Sequence, residues 1–232
     1  MENRLFLTAT ALLLAAPAAL AAVFTETYTF PVAAPAGNVV DTGTPLTLTR
    51  TIAGSAITSL TEVRVGLQLQ GTTAGGGFAS DMFVSLNRAG DVTSILLNPT
   101  GVSADDPVGS SFDGWNVTFR DSAPNGDVHL GQPTGPATIL TGEWQPDGRL
   151  DATDTARPAL LAAFNSVPAN ADWHLTLADL NRGGEMTLIS WSLTFTGTDL
   201  TAVPEPEAYA ALSGLALAGF ALWRRPNRAV KR

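Results

Sequence analysis

Cysteine is absent from these 232 residues, which removes disulfide staples and thiolate metal sites together. Histidine is nearly absent: His129 and His174 stand alone, so a serine-type triad has two candidate bases at most. Cations are also scarce. Thirteen Lys and Arg face 21 Asp and Glu, a formal net charge of −8, and Arg4, Arg224, Arg225, Arg228, Lys231 and Arg232 all lie near the two ends. The region between is more acidic still, which argues against nucleic acid as a partner, since that needs clustered Lys and Arg. Gly-x-Ser-x-Gly is missing, so no nucleophile elbow accompanies either histidine. Gly71 to Gly77 lacks the Lys-Ser/Thr ending of a phosphate loop and reads as an exposed turn.

Helical periodicity is missing too, between Val23 and Leu200. Strand alternation recurs there instead, bounded by Gly, Asn, Asp and Pro. Leu46 to Thr49 alternates, and Val63, Val65, Leu67 and Leu69 share one face of a longer strand. Met82 to Leu86 and Val92 to Leu97 pair around a hairpin loop from Asn87 to Asp91. Trp115 to Phe119 is another strand. Trp173, Leu175 and Leu177 point inward, with His174 and Thr176 outward. In Met186 to Thr196, Leu188, Ser190 and Ser192 fall on one side and Ile189, Trp191, Leu193 and Phe195 on the other. Pro158 to Phe164 reads as a short helical turn. The fold class is therefore all-β: a two-sheet, jelly-roll-like β-sandwich. Residues 22–56 supply its N-terminal strands and 57–200 its body.

The two ends differ in kind. Residues 1–21 carry Arg4, an apolar run from Leu5 to Leu14, and Ala19-Leu20-Ala21, the small-x-small pattern that signal peptidase cuts, so an N-terminal signal helix removed after Ala21 is expected. Residues 201–232 hold Val203-Pro204-Glu205-Pro206, then an apolar run 208–223, then the basic tail 224–232. The uncharged run predicts a single transmembrane helix and the tail a cytoplasmic end. Its sixteen residues would rise ~24 Å, short of a ~30 Å hydrocarbon core.

The three-part ending resembles the PEP-CTERM sorting signal of Gram-negative bacteria, with Val203, Pro204, Glu205 and Pro206 matching its motif. That resemblance implies an exosortase-type membrane protease as partner. It also implies transient residence in the inner membrane, export to the surface, and association with extracellular polysaccharide and biofilm matrix.

A second resemblance covers about Ile57 to Gly197. Trp173 to Asp179, followed by Gly183 to Phe195, is similar to the end of the P domain, or Homo B domain, of subtilisin-like proprotein convertases. Ser80 to Leu86, Gly90 to Leu97 and Phe119 to Ala123 match earlier segments, as do Gly142, Pro146, Leu160 and Phe164. Met186 replaces a Gly, Ala178 a Val, and Asp147 to Arg157 inserts polar residues. The resemblance implies a jelly-roll accessory module rather than the catalytic domain.

Three chemistries stay in view. Asp147, Asp151 and Asp154 form a candidate calcium loop, and Asp105, Asp106 and Asp113 flank another. Both lack EF-hand spacing, and Arg149 sits inside the first, which favours solvated acidic loops. Trp115, Trp144, Trp173 and Trp191 raise a carbohydrate-binding alternative; only Trp144, expected in a polar loop, lies outside a core pattern, and packing is favoured even there. A glycosidase would need paired carboxylates, which sequence spacing does not reveal. The expected function is a non-catalytic exported surface or matrix protein without a cofactor. A carbohydrate- or protein-binding adhesion module is the alternative.

Overall fold

Alternation in β4 (Ser59–Gly71) buries Val63, Val65, Leu67 and Leu69 on one face, as the period of two requires. The computed structural model describes residues 22–32, 37–39, 43–89, 92–133, 135–199 and 206–223. The chain divides into two units, Ala22–Thr201 and a second made of both termini.

The first unit is a sandwich of two sheets. One has the order β1-β10-β4-β7-β8, with β2 pairing the start of β10. These are β1 (Val23–Pro31), β2 (Asn38–Val39), β4, β7 (Gly114–Phe119), β8 (Ile139–Trp144) and β10 (Met186–Thr198). The other sheet, β3-β9-β5-β6, joins β3 (Leu46–Ile52), β5 (Met82–Arg88), β6 (Thr93–Leu97) and β9 (Ala171–Asp179). All pairs are antiparallel except β7 with β8, which run parallel. The all-β sandwich expected from the alternation is what forms.

Aromatic rings stitch the inner faces. Trp173 of β9 meets Phe195 of β10 with ring centroids 4.9 Å apart and Phe164 at 5.1 Å. Trp191 packs on Phe30 of β1 at 4.7 Å. Trp115, Trp173 and Trp191 are all buried, so none offers a sugar-stacking face. Gly114 opens β7 at φ +145°, where a Cβ would overlap the Leu69 carbonyl oxygen; glycine alone fits that approach.

Strand β10 departs from simple alternation. Its pairing with β4 skips Ile189, passing from Leu188 opposite Leu69 to Ser190 opposite Gln68. This bulge rotates the strand by one residue. Leu188 is therefore buried with Trp191, Leu193 and Phe195, while Ile189 faces out. Uninterrupted alternation would have set Ile189 inside and Leu188 outside; the extra residue lets the strand bury both apolar runs. The other difference is β8, which includes Trp144 where a loop was expected. The helical turn is shorter than its sequence pattern, a 3-10 turn at Leu161–Phe164.

In the second unit the described residues form one helix, α1 (Pro206–Trp223). Proline at its first position suits a helix start, where no N–H is needed. Among the described residues no helix is long and apolar enough to cross a membrane. That corrects the expected transmembrane helix 208–223: eighteen residues rise only ~27 Å, and Ser213, Gly214 and Gly219 dilute its apolar content. The signal segment 1–21 with Ala19 and Ala21, the motif residues Val203, Pro204 and Glu205, and the tail with Arg224, Arg225, Arg228, Lys231 and Arg232 lie outside the described residues. So do Gly90 and Asp91 of the β5–β6 turn.

Candidate functional site

Between β7 and β8 the chain makes a long excursion that places Asp127 and His129 beside the loop after β8. Asp127 caps a 3-10 turn, Val128–Leu130, by accepting the His129 backbone N–H at 3.0 Å. A parallel bridge between Asp127 and Gln145 ties the two loops together. Asp147 follows, its N–H bonded to the Leu96 carbonyl, and Gly148 bonds Ile95, so this loop is laced onto β6. Gly148 has φ +71°, which glycine takes without strain and which turns Asp147 inward.

The result is a buried ionic cluster. His129 Nδ1 lies 2.7 Å from Asp147 Oδ2, and its Nε2 lies 2.9 Å from the Val102 carbonyl oxygen. Asp147 is fully buried and also receives the Arg149 backbone N–H and Nη1 on Oδ1, at 3.2 and 3.3 Å. Arg149 Nη2 donates to Asp127 Oδ2 at 2.6 Å, and Nε to the Asp154 carbonyl at 2.8 Å. Arg157 closes the cluster from outside. Its Nε reaches the Asp147 carbonyl at 2.7 Å, Nη1 bonds Gln145 Oε1 at 2.9 Å, and Nη2 bonds the Pro146 carbonyl. Two guanidiniums thus satisfy two carboxylates, the arrangement buried charge requires.

Both ring nitrogens of His129 face oxygens that only accept. Both contacts are hydrogen bonds only if the ring carries both protons. Burial works against that cation, but the bonds to Asp147 and Val102 and the Asp147 charge outweigh it and the opposing Arg149, so the pKa rises above its usual 6.5. A group whose folded pKa lies above its unfolded value stabilises fully below the unfolded value and loses that contribution as pH climbs through the folded one. Stability should therefore decline from about pH 6.5 upward, in a step that His129→Gln removes. Urea midpoints measured across pH 5.5 to 9 check this; the same step persisting in the variant would assign it elsewhere.

The acidic loop does not gather around a cation. Asp147 is spent on His129 and Arg149. Asp151 Oδ1 accepts from Thr153 N and Oγ1 at 2.9 and 2.7 Å, and Asp154 Oδ2 accepts the Asp151 N–H at 3.1 Å. The Arg149 guanidinium already supplies the positive charge beside Asp147 and Asp127. In the other acidic stretch, Asp106 Oδ1 caps Val108 and Gly109, and Asp113 accepts the Gly77 N–H. Among the described residues no three Asp, Glu or His side chains form a group fit to hold a metal ion.

Other expected positions resolve separately. His174 stands on the outer face of β9, its Nδ1 2.8 Å from Thr49 Oγ1. Trp144 ends β8, half-buried against the core, with Nε1 donating to the Thr141 carbonyl at 2.9 Å. The cleft that holds Glu62 and Asp121 also fails as a carboxylate pair: Glu62 is bridged to Arg64 at 2.9 Å, and Asp121 accepts the N–H groups of Leu161 and Ala162.

The ionic cluster stands behind a groove of about 330 Å³ at one loop end of the sandwich. Val102, whose carbonyl His129 holds, lines one wall with Pro107 and Val108. Leu150, next to Arg149, lines the other with Ala152. Asn98 spans the two, lining the groove while its Nδ2 holds the Arg149 carbonyl at 3.1 Å. Leu180 and Asn181, just past β9, complete it. No periodic pattern marks this place; its one trace in sequence is the spacing Asp127-x-His129 and Asp147-x-Arg149, which sets opposite charges two residues apart.

No protein-family model matches the chain, and no curated protein does so either. Among solved structures, the chain is similar to the serine protease of Aeromonas sobria in its complex with the chaperone ORF2. The TM-score is 0.45 at 20% identity, over 78% of this chain and 28% of that one. It is similar also to the serine protease of Aeromonas sobria by itself, with a TM-score of 0.44 at 18% identity, over 77% and 28% of the respective chains. The chain spans 28% of the length of both.

Proposed function

We propose that the chain is a non-catalytic, exported surface or extracellular-matrix protein, sorted by an exosortase-type system and associated with exopolysaccharide. The observation that carries this reading is the order at the C-terminus: Val203-Pro204-Glu205-Pro206, an apolar run, then five cations. Helix α1 coincides with the apolar middle part. The jelly-roll-like P-domain module is the proposed identity of the sandwich, on the match from Trp173 to Phe195.

The non-catalytic part has its own support. Both nitrogens of His129 are consumed inside the protein, His174 bonds a threonine on a strand face, and the carboxylates of the cleft that holds Glu62 and Asp121 cap or pair locally. A general base must reach a substrate proton, and neither histidine is placed to do so.

Processing tests the sorting reading. Mature protein recovered from the surface of the native cells should end near Pro206, lacking residues 208–232, with its N-terminus at Ala22. Intact-mass measurement decides it. Surface protein that still ends at Arg232 would replace sorting with a plain tail.

A further inference from the structure

The groove at the loop end has a composition unlike the rest of the sandwich surface. Val108, Leu150 and Leu180 are 63%, 69% and 48% exposed, and all three line it. Exposed large apolar side chains scattered singly need no explanation, but three converging on one concavity do. Pro99, Val102 and Pro107 widen that apolar surface. Polar contacts come from Asn98, Thr153 and Asn181, which share the lining with these apolar groups.

The rim is acidic. Asp151, exposed beside Leu150, has its pKa lowered by the Thr153 backbone and hydroxyl bonds and is ionised at neutral pH. Asp106 stands next to Pro107, its carboxylate fixed by Val108 and Gly109 N–H groups. Arg182 lines the adjoining hollow, which shares Pro107, Val108 and Asn181, and marks the far end with the opposite sign. The walls are held from behind by the ionic cluster, through the Val102 carbonyl on one side and Arg149 on the other. Apolar walls, side-chain amides and rim carboxylates on a rigid backing fit one kind of occupant.

We propose that this groove binds a short extended peptide segment, presenting apolar side chains flanked by Lys or Arg. The apolar side chains sit between Val108, Leu150 and Leu180. Backbone groups meet Asn98 and Asn181, and the flanking cations face Asp151 and Asp106. Charge complementarity selects the flanks, and the chain's net negative charge adds long-range steering. The inference rests on the groove and not on the sorting reading, so neither test outcome bears on C-terminal processing.

The test uses the full-length chain, ¹⁵N-labelled in detergent micelles, titrated with the capped peptide Gly-Lys-Leu-Leu-Lys-Gly. Two controls replace both Lys by Glu or both Leu by Ser. Saturable shifts should be confined to amides of residues 98–109, 150–153 and 180–182. The Glu peptide should bind at least about fivefold more weakly and the Ser peptide about tenfold. Val108→Ser with Leu150→Ser should weaken binding about tenfold, and both sites are exposed enough to leave folding intact. Asp151→Asn should flatten the salt dependence. Three results would overturn the proposal: no saturation at millimolar peptide, shifts elsewhere, or equal affinity for the Lys and Glu peptides. Cellohexaose shifting the same amides while the peptide does not would assign the groove to sugar instead.

Discussion

Replacing Trp173 by alanine is expected to destabilise the sandwich by about 3 to 5 kcal/mol, the range for removing a buried aromatic. The residue joins the two sheets: its ring meets Phe195 on the opposite sheet and Phe164 beneath. Its Nε1 donates to the Ala169 carbonyl at 3.0 Å. Truncation therefore opens a cavity and orphans a carbonyl at once. Trp191 makes an instructive contrast, because its Nε1 is buried without a partner. Trp191→Phe should cost less than Trp173→Phe by about 1 kcal/mol or more, the penalty of an orphaned buried acceptor. Equilibrium urea unfolding of the three variants measures this. A Trp173→Ala protein within 1 kcal/mol of wild type would mean the inter-sheet contact carries little.

Arg149→Ala should be as damaging, about 3 to 5 kcal/mol, for a different reason. The guanidinium is buried against Asp127 and Asp147, and removing it leaves two buried carboxylates short of their main counter-charge. Equilibrium urea unfolding at pH 7 measures the loss. Wild-type stability at pH 7 would indicate that Arg157 alone neutralises the pair.

Strands with one buried face were legible in the sequence. β4 from Val63 to Gln70, and the whole of β9, alternate without interruption, and their pairing follows from which residues must hide. β10 was legible only from Ser190 onward, because the bulge at Ile189 is one inserted residue and leaves the amino-acid types unchanged. β8 hid its character: Gly142 and Glu143 are poor strand formers, and a parallel edge next to β7 accepts them where an isolated hairpin would not. The ionic cluster was harder still. His129 and Asp147 come from two loops joined by a strand, and proximity of that sort has no periodic signature. Asp147, Asp151 and Asp154 read as one acidic loop; the backbone turn at Gly148 instead sends the first inward and leaves the others in solvent.

The placement of β10 governs when the sandwich can exist at all. This last strand lies between β1, the first, and β4, and it closes both. A ribosome or export channel delivering the chain from its N-terminus would release β1 and β4 long before their common neighbour. Until Thr198 has emerged, both present open edges that invite pairing with other chains. Assembly is therefore a late, cooperative event dominated by distant partners, a topology that folds slowly. Any truncation upstream of Met186 should yield an aggregating polypeptide rather than a smaller domain.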